Sequence, residues 1–550
     1  MKRWLLCAAL SAALPLALAV EPSKLPDIGS SAGELLTPAQ ERAYGGMVLR
    51  QLRGYGLVLD DPLLDGYLQS LGYRLASRSD RPSQAFTFFL MGDRQINAFA
   101  TIGGYIGVNA GLILTAERED EVAAVLSHEI SHVTQRHILR AVEQAQRDQL
   151  PIMLGMLGAM VAATQAGSPD GAQAAVVGGM SLMQQRQINY TRSNEYEADR
   201  IGIQTLARSG YDPLAMADFF GRMERQMRGN LGGVQAPEYL RSHPVTTTRI
   251  SEAKARAKQI GVDPACVQDQ DLQLIAEIEN SNCARTTSLR RTRNPLLPEY
   301  VIGSIDDGGV SRELFALARE RLRVLSAKTM NEAVHEYRRL RQADEAAFTP
   351  AQRYGFALAR SLVGQTAAAG TELAQLAEQY PSLYWVALAQ AENDHRSGNF
   401  KASHERYERL LQERPQNAAV VLSYAGSLAE LGTAEAARTA QELLRPLLAA
   451  DADNPALQRT FARASEVAGD TVRAAEAYAE VAWLNGRADD ALSQLERLRK
   501  TPDLDFYQRS RIDARIVAIT PDALELRRLN PRGSSPRLNT ALSLRPRSTY

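Results

Sequence analysis

Cysteine is scarce in this chain: three in 550 residues, at positions 7, 266 and 283. A Cys-based zinc site therefore has no second ligand pair near it in sequence, and at most one disulfide can form. Net charge is also missing, with 63 Lys and Arg against 63 Asp and Glu. No basic patch dominates, which excludes nucleic acid as the expected partner. Long apolar runs are absent too. The nearest, Trp4 to Leu18, falls short of the ~20 residues that a membrane-spanning helix needs. Histidine is rare enough, at seven residues, that its placement carries information.

The length allows two to four domains, and 45% hydrophobic with 23% charged residues is ordinary for globular protein. Lys2 and Arg3 precede the apolar run, and Ala17-Leu18-Ala19 resembles a cleavage site, so residues 1–19 read as a signal peptide for export. Cys266 and Cys283 are then the cysteines of the mature chain, and in an oxidising compartment they suit one disulfide worth roughly 3 kcal/mol.

Histidine concentrates at His128-Glu129-Ile130-Ser131-His132, an H-E-x-x-H pattern. Val122, Val125, Leu126, Ile130 and Val133 recur at helical spacing around it. Two histidines four apart lie about 40° from one another on a helix, so both imidazoles reach one ion. Glu129 falls inside the apolar stripe, where a carboxylate is costly without a partner or a task. As general base it takes a proton from metal-bound water and passes it to a leaving amine. Glu195, 63 residues after His132, supplies a third ligand, and Asp199 shares its helical face. Asp199 is expected to accept a hydrogen bond from a ligand histidine and to complete the catalytic pair with Glu129. Glu197 points away, where Arg200 can pair with it. His137 lies about 140° round the helix from His132, as a second-face or surface histidine rather than a ligand. His243, before Pro244, remains either a fourth metal ligand or a transition-state donor. The metal implied is Zn2+.

Helical periodicity runs from about Pro38 to Ser77, and Phe86 to Leu90 reads as a strand. Asn97 to Val108 suggests strands around a glycine turn. An edge strand beside the metal helix can take an extended substrate by β-addition, although a plain hairpin gives the same pattern. Pro151 to Met183 is rich in Met, Ala and Gly. Buried helices are the default there. A flap over the cleft, or a surface touching membrane or unfolded client, is the sharper alternative.

The C-terminal half is Ala/Leu/Arg/Glu-rich and repeats. Gly398 to Gly432 is 34 residues, as is Pro381 to Pro415, the tetratricopeptide period. Such solenoids bind partners along a concave face. The expected architecture is mainly α: an α+β zincin-like metallopeptidase domain followed by an all-α tetratricopeptide-repeat solenoid. The division is 1–19 signal peptide, 20–263 metallopeptidase, 264–310 linker or insertion, 311–520 repeats, and 521–550 a Pro/Arg/Ser-rich disordered tail.

His128-Glu129-x-x-His132, Asn194 to Gly202 and Ser242-His243-Pro244 together resemble the metallopeptidase family of the CaaX prenyl protease and HtpX. Leu25 to Gly29, Gln51 to Gly54 and Asn485 to Ala488 extend the resemblance to exported, repeat-bearing members. The resemblance implies zinc on His128, His132 and Glu195, with Glu129 as base. It implies that His243 approaches the metal and restrains activity. It further implies a periplasmic location, misassembled outer-membrane proteins as clients, and docking to the β-barrel assembly machinery. The rival expectation is a periplasmic chaperone or assembly adaptor whose zinc site is structural or autoinhibited.

Overall fold

The structure is a computed structural model that describes residues 36–165, 169–229, 238–260 and 312–529. The expected signal peptide, the Leu25–Gly29 motif, Cys266 and Cys283, the 264–310 linker and the chain beyond 529 lie outside the described residues.

The helical stretch expected from Pro38 to Ser77 divides in two. Helix α1 (Pro38–Gly54) starts at a Thr37–Gln40 capping box with proline in its first turn. Gly56, at φ 67°, turns the chain, and Asp61 then caps α2 (Pro62–Ala76) by accepting from the Leu64 N–H at 3.1 Å. A small sheet follows in the order β1-β3-β2. Strand β1 (Thr87–Met91) pairs parallel with β3 (Tyr105–Asn109), and β2 (Ala98–Ala100) pairs antiparallel on β3's other side. The glycine turn is present as Gly103 and Gly104, at φ 81° and 85°. Helix α3 (Ala110–Thr115) leads into α4 (Glu119–Thr134), which carries the H-E-x-x-H pattern. Glu119, Asp120 and Glu121 fill the first turn of α4, where negative charge complements the helix dipole.

Helix α4 ends because Arg136 adopts φ 55°, so α5 (His137–Gln165) is a new helix with a new direction. It packs on α6 (Pro169–Arg208), which brings Glu195 and Asp199 back across α4. Helices α7 (Ala215–Gly229), α8 (Glu238–Ser242) and α9 (Thr247–Ile260) complete this half. Its core joins Leu68 and Leu71 of α2, Val108 of β3, Leu126 of α4, Leu206 of α6 and Phe219 of α7. Each such side chain, fully buried, stabilises by about 1.5–3 kcal/mol.

The default of buried helices over Pro151 to Met183 needs correction. Ile152 is buried, but Met153, Val177, Met180 and Leu182 are exposed. Helices α5 and α6 pair there and leave these four apolar side chains outside. Among the described residues no helix is long and apolar enough to cross a membrane.

From residue 312 the described chain is helical: α10 (Arg312–Leu325), α11 (Met330–Ala343), α12 (Pro350–Leu362), α13 (Thr366–Gln379), α14 (Tyr384–Arg396), α15 (Phe400–Glu413), α16 (Ala418–Glu430), α17 (Ala434–Ala450), α18 (Pro455–Ala468), α19 (Thr471–Leu484), α20 (Ala488–Arg499) and α21 (Phe506–Leu529). Helix α21 runs through residue 521, with Pro521 inside it. The positive-φ glycines at 364, 398 and 432 stand 34 residues apart, each at a turn between paired helices. Gly469 follows after a longer interval, because α17 has 17 residues against 13 or 14 in the helices before it.

This array closes onto the catalytic half. A Cβ on Gly54 would come 3.0 Å from the Asn485 carbonyl, and one on Gly486 would come 2.5 Å from the Arg50 carbonyl. The two glycine motifs that stand far apart in sequence therefore form one contact. Arg50 and Arg515 lie over the Trp483 ring, each 4.3 Å from its centroid, and Arg50 pairs with Asp522 at 2.6 Å. A second clamp is buried: Arg321 of α10 holds Asp61 through two bonds of 2.8 and 2.7 Å.

Candidate metal centre

Helix α4 presents His128 and His132 side by side, with nitrogens Nε2 3.0 Å apart. Glu195 of α6 enters from the facing helix, 3.4 Å from each of those nitrogens. The two helices come this close because residue 202 is glycine; a Cβ there would lie 3.2 Å from the His128 Cα and N. His243 follows α8, with its N–H bonded to the Tyr239 carbonyl at 2.7 Å and its ring stacked on Tyr239 at 4.8 Å. Its Nδ1 stands 3.3 Å from His128 Nε2 and 3.0 Å from Glu195 Oε1.

These four donors lie within 4.8 Å of one another. Ligands about 2.0–2.1 Å from one zinc ion at tetrahedral corners are about 3.3 Å apart. Five of the observed separations, 3.0 to 3.4 Å, are close to that edge length, with Glu195 facing the two α4 histidines through different oxygens. Two imidazoles, a third from His243 and one carboxylate also suit zinc in ligand type. The residues present thus fit the ion that the sequence pattern implies.

Each α4 histidine is gripped from behind. His128 Nδ1 faces Asp199 Oδ1 at 2.9 Å. Asp199 in turn takes two bonds from Arg249, at 2.6 and 2.7 Å. Arg249 also reaches Glu195 at 3.1 Å and donates to the Pro244 carbonyl at 2.9 Å, so one guanidinium ties the α6 carboxylates to the His243 loop. Asp199, expected in the catalytic pair with Glu129, therefore stands behind His128 and outside the four-donor set. On the other side, His132 Nδ1 meets His137 Nδ1 at 2.8 Å, and His137 Nε2 meets Glu197 at 3.2 Å.

Two placements from sequence need correction here. His137 is buried against His132, not on a second or surface face, because the break at Arg136 reorients it. Glu197 pairs with Arg140 at 3.0 Å and with His137, not with Arg200. The sequence gives Arg249, which follows the His243-Pro244 pair, no role, and it gives none to Tyr239. The signal for Arg249 is a basic residue shortly after the His243-Pro244 turn, but its partners are distant in sequence.

Glu129 is 1% exposed, with its carboxylate beside the Ala100 backbone of edge strand β2 and 3.7 Å from His243 Nε2. Burial raises its pKa, with His243 and His128 opposing. Burial also opposes charge on His128, but the carboxylates of Asp199 and Glu195 outweigh it and hold this histidine up at about 10. Burial pulls His132 down to about 3 despite Glu195. For Glu195, burial is overcome by His128, His132 and His243, which hold it far below the usual carboxylate range.

The fold and donor set agree with the family comparison: residues 62–257 match Peptidase family M48. The chain is 43% identical over 258 residues to the putative beta-barrel assembly-enhancing protease of Vibrio cholerae, covering 47% of this chain and 52% of the relative. It is 37% identical over 317 residues to the beta-barrel assembly-enhancing protease of Escherichia coli K12, covering 58% and 62%. The Yersinia pestis protein of the same name is 38% identical over 309 residues, covering 56% and 61%. The matches span between about half and two thirds of these relatives' own length.

Proposed function

We propose that this chain is a zinc-dependent endopeptidase, exported to the periplasm, whose tetratricopeptide-like array recruits unfolded or misassembled outer-membrane proteins. The observation that carries it is the convergence of His128, His132, Glu195 and His243 within 4.8 Å of one another, with Glu129 buried beside them. The names of the relatives support the client class and a link to β-barrel assembly.

In this reading His128, His132 and Glu195 hold the metal. When bound, zinc acidifies a coordinated water and polarises the scissile carbonyl. Glu129 accepts the proton and returns it to the leaving amine; its burial moves its proton affinity towards working pH. Asp199 and His137 orient the two histidines. Strand β2, at one end of the sheet order, offers its free edge to an extended substrate, and Ala100 links that edge to Glu129. The proposed division keeps residues 20–263 as the catalytic domain and 311 onward as the recruiting array.

One observation favours a second reading. His243 makes the donor set four, and a closed four-ligand site is the mark of a structural or autoinhibited centre rather than an open catalytic one. We take His243 as a restraint that withdraws when a client engages. A chaperone or adaptor with a permanently closed site is the alternative. The test is zinc content together with cleavage of an unfolded protein. One zinc per chain and cleavage abolished by Glu129→Gln support the peptidase. One zinc per chain with no cleavage, while client aggregation is still suppressed, supports the adaptor.

A further inference from the structure

A cavity of about 290 Å³ lies between the catalytic half and the helical array, walled by α1, α2 and β1 on one side and by residues of α14 and α16 to α19 on the other. That volume is at the lower edge of ligand pockets, which run about 300–1,000 Å³. It is separate from the metal centre, whose ligands do not line it.

Two features of its walls call for a ligand. The first is a set of buried donors with no acceptor. The indole N–H groups of Trp385 and Trp483 and the Asn417 Nδ2 are all shielded and all unpartnered. Trp385 and Asn417 are each 2% exposed. The Asn417 amide cannot be reversed to cure this, because its Oδ1 already accepts the N–H groups of Ala419 and Val420 at 3.1 and 3.2 Å. Buried donors of this kind normally have partners.

The second feature is surplus negative charge. The walls carry Asp60, Asp65, Glu119, Asp451 and Asp453 against three arginines, 50, 53 and 74. Arg50 is already paired with Asp522, Arg53 reaches Asp60 at 3.7 Å, and Arg74 serves the Tyr211 hydroxyl. Asp65 is half-buried and lines this cavity. Burial, with Asp60 and Asp61 beside it, pushes its carboxyl well up. Burial likewise raises Asp451 on the opposite wall. Arg53 favours both ionised forms without overcoming burial, and a second cation between these walls would stabilise them further.

Carbonyl acceptors for the donors and a cation for the acids are found together in one chemical class. We propose that this cavity binds a lysine or arginine residue of an extended polypeptide. The backbone carbonyls accept from Trp385 and Asn417, and the cationic head meets Asp65 and Asp451. Tyr73, Tyr384 and Trp385 supply the apolar and aromatic wall along which a long basic side chain packs. The proposal rests on the recruitment part of the function above and not on its chemistry. A client segment held here would bridge the array to the catalytic half.

The chain has three tryptophans, and two of them line this cavity, so intrinsic fluorescence reads it directly. The full chain carrying Glu129→Gln, which keeps the probe intact, is titrated with an unstructured Gly/Ser peptide bearing one central lysine. Peptides with glutamine or glutamate in its place are the controls. The expected result is a saturable change with the lysine peptide, at least tenfold tighter than with either control. Asp65→Asn and Asp451→Asn, one from each wall, are each expected to remove that tenfold preference in protein that melts cooperatively. Equal binding of the lysine and glutamine peptides, no binding of any peptide, or a preference kept in whichever folded variant is obtained would overturn the proposal. Cleavage by the wild type is read separately, so its loss leaves this site standing and its retention does not rescue it.

Discussion

Gly202 lies directly against His128: a Cβ at residue 202 would sit 3.2 Å from both the backbone N and Cα of the first metal-binding candidate. That contact sets the distance between α4 and α6 and so the distance from Glu195 to the two histidines. Gly202→Ala is expected to cost about 1–3 kcal/mol of stability through overpacking. Gly202→Leu is expected to force the helices apart and lose metal. Zinc content after gel filtration, beside the thermal midpoint, checks both; full zinc occupancy in the leucine variant would contradict the packing argument.

Asp199 links His128 to Arg249 in a buried chain. Asp199→Asn keeps the shape but removes the charge that fixes the ring and leaves Arg249 facing a neutral amide. Orienting partners of metal ligands are typically worth 10–100-fold in metal affinity. Competition with a chelator of known affinity is expected to show zinc held at least tenfold more weakly, with Glu195→Ala weaker still.

That His128 and His132 share a face with Glu129 beside them was legible because helical spacing places them without any knowledge of the fold. The α6 face shared by Glu195 and Asp199 was legible for the same reason. His137 was not, because a single residue, Arg136 at φ 55°, ends the helix on which its angle was reckoned. Glu197 was assigned to Arg200 by local spacing, but its partners come from α5, across the helix pair. Arg249 and Tyr239 depend on how the His243 segment folds back, which periodicity does not encode. In the array, 34-residue spacing was visible from Gly398 onward. The turn at Gly364 belongs to the same series, 17 residues before Pro381 as Gly398 is before Pro415, but Thr366 and Leu373 stand where Phe400 and Tyr407 follow Gly398. The exposed α5–α6 surface went against expectation, since composition alone cannot tell a buried apolar helix from a projecting one.

Asp61 and Arg321 are each 2% exposed as side chains and join the two halves of the chain. Removing one partner of a buried pair strands the other charge, at a cost of about 3–5 kcal/mol. Arg321→Ala is expected to lower stability by that order in a denaturant titration. The double variant Asp61→Asn with Arg321→Met is expected to recover part of it.

Acid should loosen the outer support of His132. The His137 hydrogen bond, with Arg140, holds Glu197 down at about 2 from an ordinary 4.5. A carboxyl depressed in the folded state adds stability above its unfolded pKa and loses it as pH falls. The contribution is therefore complete above roughly pH 5 and fades between about 4.5 and 2. Stability curves of the wild type and Glu197→Gln are expected to converge over that window and to separate above it.

The most direct test of the restrained-peptidase account compares the initial rate of cleavage of an unfolded protein by zinc-loaded wild type and His243→Ala. The account predicts faster cleavage by His243→Ala at unchanged zinc content, and none once Glu129→Gln is added. Slower cleavage or lost zinc in His243→Ala would show that this histidine builds the site rather than restrains it.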